Sequence, residues 1–155
     1  MRMGEFKVSR ARHTSAAPSQ IHALIDDFRN WPQWSPWEGL DDNMTRTYEG
    51  PEQGVGSRYA WKGNKKAGSG HMKITESTPQ RITVALTFTE PFSSDNTTVF
   101  DLRPSADGGT DVSWTMTGPQ SVAQKIFFTV FRMNKKVEKD FDKGLAALAA
   151  AAERS

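Results

Sequence analysis

Between residues 43 and 119 the chain repeatedly alternates apolar with polar side chains, and after Gly118-Pro119 the apolar period lengthens and stays long to the end. Alternation of period two puts one face of a strand toward a core and the other toward water, whereas a recurrence every three to four residues marks one face of a helix. The clearest strand is "QRITVALTFTE", with Ile82, Val84, Leu86 and Phe88 set against Thr83, Ala85 and Thr87. "MTRTYEG", "SRYAWKG", "SGHMKITES", "DNTTVFDLRP" and "TDVSWTMTG" follow the same rule. "PEQGVG", "GNKKAGSG" and "SADGG" supply polar and glycine-rich connections. Strands joined this way predict an antiparallel meander.

In the last segment Ile126, Val130, Val137, Phe141, Leu145 and Leu148 hold one helical face, which predicts a helix from 121 to about 148 with Ser121 as its cap. Before the meander, "EFKVSRARHT" alternates and predicts a first strand, with Phe6, Val8, Arg10 and Arg12 of one parity. Pro18 opens a helix whose apolar face is Ile21, Leu24, Ile25 and Phe28, ending near Arg29 or Asn30. The layout is α+β: a curved antiparallel sheet around a long C-terminal helix, in one domain over residues 1–155.

"RNWPQWSPWEGL" then sets three of the five tryptophans of the chain, Trp31, Trp34 and Trp37, at a spacing of three, with Pro32 and Pro36 between them. A turn of three-residue pitch stacks such positions along one side. Each ring offers roughly 150–250 Å² of surface to bury. Such a wall closes one end of the curved sheet. It serves as a plug, or as a gate with Trp34 at the mouth and hinges near Asn30 and Gly39.

Composition narrows the function classes. The chain is 36% hydrophobic and 25% charged, with 20 basic against 18 acidic residues. A net charge of +2 is too even to point to nucleic acid. With no cysteine, thiol nucleophiles, disulfides and thiolate metal sites are excluded. His13, His22 and His71 stand far apart, with no HxH or HExxH spacing, so neither a metal nor another cofactor is expected. His22 is expected to face solvent. No GxSxG is present, and "GSG" at 68–70 is a hairpin run, not a phosphate loop. The charged N-terminus has no apolar h-region, and the apolar run at 144–152 is too short to span a bilayer, so the expectation is a cytoplasmic protein without a transmembrane segment.

General acid–base chemistry would draw on Arg58, Tyr59, His71, Glu76, Glu90, Asp95 or Asp101. Parity assigns most of these to the wet outer face: if Met72 and Ile74 point inward, His71 and Lys73 do not. Tyr59 shares its parity with Trp61 and points inward. The basic segment Lys62, Lys65, Lys66, His71 and Lys73 is a solvated hairpin tip on this reading.

The "NWPQWSPWE" turn, the glycine spacing of "EGPEQGVGSRYAWKGNKKAGSGHMKITES", and "EPFSSDNTTVFDL" with "GTDVSWTMTGP" before the final helix resemble the START-like, or SRPBCC, superfamily. The likeness is to its polyketide cyclase/dehydrase-like branch and covers residues 5 to 150. It implies the helix-grip fold, β-α-α-β6-α, with an apolar cavity between sheet and C-terminal helix. The expected lining is Trp34, Trp37, Tyr59, Trp61, Met72, Ile74, Leu86, Phe88, Trp114, Met116, Ile126 and Val130. Three functions stay open: binding of a small hydrophobic molecule (lipid, polyketide or aromatic metabolite), a cyclase or dehydratase acting in the same cavity, or an interaction module whose cavity has closed. A monomer or weak homodimer is expected.

Overall fold

The structure, a computed structural model, describes residues 5–36, 43–64, 68–90, 93–119 and 133–154. Seven strands form one antiparallel sheet: β1 (Glu5–Thr14), β2 (Thr45–Glu49), β3 (Arg58–Lys62), β4 (Ser69–Thr78), β5 (Arg81–Glu90), β6 (Ser94–Pro104) and β7 (Thr110–Pro119). Their order is β1-β7-β6-β5-β4-β3-β2, a meander from β2 to β7 with the first strand added beside the last. Helix α1 (Pro18–Asp26) and a 3-10 helix (Phe28–Gln33) join β1 to β2, and helix α2 (Met133–Glu153) ends the chain. This is the helix-grip arrangement, with a curved sheet and a C-terminal helix.

Directly opposed residues of an antiparallel pair point to the same face, so the register gives the inner surface as rows. One row is Ile82, Phe100, Trp114 and Arg10. The next is Ile74, Val84, Thr98, Met116 and Val8. A third is Tyr48, Tyr59, Met72, Leu86 and Asn96, and a fourth is Arg46, Trp61, Gly70 and Phe88. The expected inward parity of Met72, Ile74, Val112, Trp114 and Met116 holds: all five are buried.

Helix α2 lies along β1 and touches α1, the 3-10 helix and β7. Phe141, Leu145, Leu148 and Ala152 form its buried stripe, each large side chain contributing about 1.5–3 kcal/mol by leaving water. The helix runs to Glu153, past the expected end near 148, and its buried stripe continues through the small alanines at 151 and 152. Ser121, Ile126 and Val130 lie outside the described residues. Arg10 has inward parity but sits at the edge of the sheet. Its guanidinium forks onto Asp142 of α2 at 2.8 and 2.9 Å and reaches Glu138 at 3.5 Å.

Helix α1 stops earlier than its sequence suggests. Asp27 is extended, and its carboxylate accepts from the Arg29 backbone N–H at 2.9 Å, which ends one helix and starts the 3-10 turn. The last four carbonyls of a helix have no partner within it. Here each is met by a donor from outside. Asn30 Nδ2 donates to Ala23 O at 3.1 Å, Trp34 Nε1 to Leu24 O at 2.9 Å, Trp31 Nε1 to Ile25 O at 2.8 Å, and the Gly54 N–H to Asp26 O at 3.1 Å. The tryptophan turn therefore caps α1 with two indole N–H groups while its rings fill the core beneath.

Candidate ligand-binding face

The inner face carries two aromatic groups of different character. The first is closed. Trp31 and Trp34 lie 4.7 Å apart by ring centroid, Trp34 meets Trp114 edge-on at 5.6 Å, and Trp114 stacks on Phe141 at 4.0 Å and 5°. Phe100 stacks on Trp114 at 5.1 Å and meets both Trp31 and Trp34 edge-on. Trp34 is 2% exposed. Expected at a cavity mouth, it has its indole N–H bonded to Leu24 O and its ring packed among Trp31, Phe100 and Trp114 in the core cluster. Ile74 and Trp114 are equally enclosed.

The second group lies toward β2 and β3. Tyr48 and Tyr59 are 5.3 Å apart, Tyr59 stacks on Trp61 at 6.1 Å and 23°, and Trp61 meets Phe88 edge-on at 5.8 Å. Tyr48, Trp61 and Phe88 are only partly buried although they pack on the core. A Cβ built on Gly70 would stand 2.7 Å from the Trp61 ring, so only glycine lets the indole lie against β4 there. Phe28 touches Tyr59 at 5.7 Å and joins the two groups. The Arg29 guanidinium covers Tyr48 at 4.7 Å, a cation–π contact.

Among the described candidates the register thus brings Tyr59, Trp61, Met72, Leu86, Phe88 and Met116 onto adjoining rows of one half of the inner face, and sets Trp34, Ile74 and Trp114 in or beside the closed half. Trp37, Ile126 and Val130 lie outside the described residues. Two buried polar side chains on the same face, Asn96 and Thr98, were not anticipated. Their signal was present: buried Phe100 and Leu102 fix the parity of β6, and Thr98 and Asn96 continue it.

A further polar cluster was missed where β4 changes register between Ile74 and Glu76. The irregularity turns Ser77 to the inner side, where its hydroxyl donates to Asp26 Oδ1 at 2.6 Å and stands 3.3 Å from His22 Nε2. His22 is half-buried by this contact instead of facing solvent. On the outer face, Lys62, His71 and Lys73 are exposed as expected, while Lys65 and Lys66 lie outside the described residues. An outer depression lined by Glu76, Thr78, Arg81, Asp101 and Arg103 is polar, and Arg81 is paired there with Asp101 at 2.7 Å. Among the described residues, no group of three or more His, Cys, Asp or Glu could hold a metal ion, and no helix is long and apolar enough to cross a membrane.

A curved antiparallel sheet gripping a C-terminal helix, with aromatic and methionine side chains on its inner face, defines a helix-grip domain. The chain belongs to the polyketide cyclase/dehydrase and lipid transport family, whose model matches residues 5–153. The fold is shared with solved structures of low identity. Protein MLL2253 of Mesorhizobium loti has a TM-score of 0.70 at 14% identity, over 97% of this chain and 98% of that one. The hypothetical protein jhp0584 of Helicobacter pylori has a TM-score of 0.71 at 9% identity, over 95% and 88%. Protein CV1439 of Chromobacterium violaceum has a TM-score of 0.63 at 18% identity, over 95% and 96%. At these identities the likeness is one of fold. A comparison with curated proteins finds no match.

Proposed function

We propose that this protein binds a small hydrophobic molecule on the inner face of its sheet, between the aromatic group of Tyr48, Tyr59, Trp61 and Phe88 and the flexible side chains of Met72 and Met116. The observation that carries this is the contrast between the two aromatic groups. The closed one packs its rings against one another, with the Trp31 and Trp34 N–H groups given to carbonyls of α1, while Trp61 and Phe88 keep part of their surface uncovered beside an apolar interior. Partly covered aromatic rings next to a core are what an apolar ligand completes. The family description names both cyclase/dehydrase and lipid transport members. Among the described residues the inward positions of β4 to β7 carry no Asp, Glu, His or Lys, and the Asp26 and His22 that meet Ser77 on the inner side stand on α1.

The test is a titration with fatty acids and polycyclic aromatics, read by intrinsic fluorescence and melting temperature, with native mass spectrometry to detect a copurified molecule. Binding should quench or shift tryptophan emission and raise the melting temperature. Trp61→Ala should weaken binding at least about tenfold, the loss of about 1.4 kcal/mol of contact. A flat response across the panel, with no copurified molecule, refutes the reading.

A further inference from the structure

Thr98 is the one polar member of the row Ile74, Val84, Thr98, Met116 and Val8. It is 4% exposed, and its Oγ1 is buried without a hydrogen-bond partner among the described residues. A buried hydroxyl left unpaired disfavours folding, and valine would fill the same volume without that cost. A strand flanked by Val84 and Met116 gives no packing reason for threonine. Two residues along the same face, Asn96 adds a second buried polar side chain, whose Nδ2 reaches Leu86 O at 3.5 Å.

We infer that Thr98 is the polar anchor of the ligand, and that the ligand is an uncharged, ring-bearing hydrophobe with one hydroxyl or carbonyl oxygen at its inner end. This rests on the binding reading above and names its ligand class. The hydroxyl both donates and accepts, so it matches a neutral oxygen. A carboxylate buried there would need a cation, and the inner-face arginine nearest in register, Arg10, is held by Asp142 and Glu138 at the sheet edge. Length follows from the strand. Phe88 opposes Ser94, four residues along β6 from Thr98, or about 13 Å at about 3.3 Å per residue. That span suits roughly three fused rings, oxygen inward and hydrocarbon against Trp61 and Phe88. Met72 and Met116 border the path, and their unbranched side chains re-pack easily around a guest.

The experiment compares fluorene, 2-hydroxyfluorene and fluorene-2-carboxylate by calorimetry on the full chain and on Thr98→Val and Thr98→Ser. The parent should bind 2-hydroxyfluorene about 3- to 10-fold more tightly than fluorene, the range set by one hydrogen bond to a neutral group, and more tightly than the carboxylate. Thr98→Val should abolish that preference and raise the melting temperature. Thr98→Ser should keep the preference. An equal preference in parent and Thr98→Val overturns the inference while leaving the binding reading standing, as does tightest binding of the carboxylate. No binding of any of the three overturns both.

Discussion

Replacing Trp34 by alanine separates a core tryptophan from a gate. The ring is 2% exposed and packs against Trp31, Phe100 and Trp114 at centroid distances of 4.7, 5.8 and 5.6 Å. Truncating a buried tryptophan costs about 3–5 kcal/mol in lost contact and residual cavity. The change also strips Leu24 O of its indole donor, about 1 kcal/mol more. The sum, about 4–6 kcal/mol, is a large share of the 5–15 kcal/mol typical of a domain. It should lower the melting temperature by about 8–24 °C at roughly 2–4 °C per kcal/mol. Urea unfolding followed by far-UV circular dichroism gives the free energy without relying on the altered fluorophore. Trp34→Phe keeps an aromatic ring but removes the N–H and part of the bulk, so it should cost about 1–3 kcal/mol, less than the alanine variant. Ligand affinity per folded molecule should be unchanged in both variants. A loss below about 1.5 kcal/mol for Trp34→Ala, or weakened binding in Trp34→Phe at full stability, would return the ring to the cavity rim and refute the assignment.

Three other outcomes follow from particular contacts. His13 bridges Asp111 at 2.8 Å and Asp107 at 2.9 Å, tying β1 to the β6–β7 turn. The Asp111 hydrogen bond, then Asp107, raise the His13 pKa. Asp107 is lowered to about 2 by the Ser105 hydroxyl, the Gly109 N–H and then His13. The raised histidine stabilises fully below about pH 6.5 and loses this as pH rises through its folded value. The depressed carboxylate stabilises fully above about pH 4 and loses this as pH falls through about 2. Melting temperatures of parent and His13→Gln should therefore differ most between pH 4 and 6 and converge at high pH; a constant gap across pH argues against the bridge. Gly144→Ala should destabilise by about 1–2 kcal/mol in urea unfolding although alanine favours helix by about 1 kcal/mol. Its Cβ would stand 2.8 Å from Trp114 and 3.0 Å from Pro36, and Trp114 is pinned against Phe141. Ser77→Ala should cost about 1.5–3 kcal/mol by the same measurement, the range for a hydrogen bond to a charged group, because Asp26 loses its 2.6 Å donor.

How far the sequence reaches is set by which physical signals are periodic. Strands β1 to β7 were legible because one face of each meets a core, so alternation survives from Val8 to Met116 and marks the inward parity. The α2 stripe from Val137 to Leu148 was legible for the same reason at the helical period. The end of α1 was not, because Asp27 acts through one side-chain bond to Arg29 N, which leaves no repeat to detect. Ser77 was hidden by a single register shift, since one irregular position inverts the meaning of every polar residue beyond it.

The tryptophan turn shows the limit most clearly. Spacing and bulk predicted a wall at one end of the sheet, and a wall is what Trp31 and Trp34 make. Bulk cannot tell a plug from a gate, because both bury the same rings. The deciding atoms are the two Nε1 groups, each spent on a carbonyl that α1 leaves without a helical partner. A ring anchored through its N–H to the rigid end of a helix cannot swing without uncapping that helix. On the binding reading proposed above, motion that admits a ligand comes from side chains lacking such anchors, and Met72 and Met116 offer the softest torsions on that face. The closed and partly open aromatic groups divide the inner surface accordingly: one half holds α1 and α2 to the sheet, and the other presents Trp61 and Phe88.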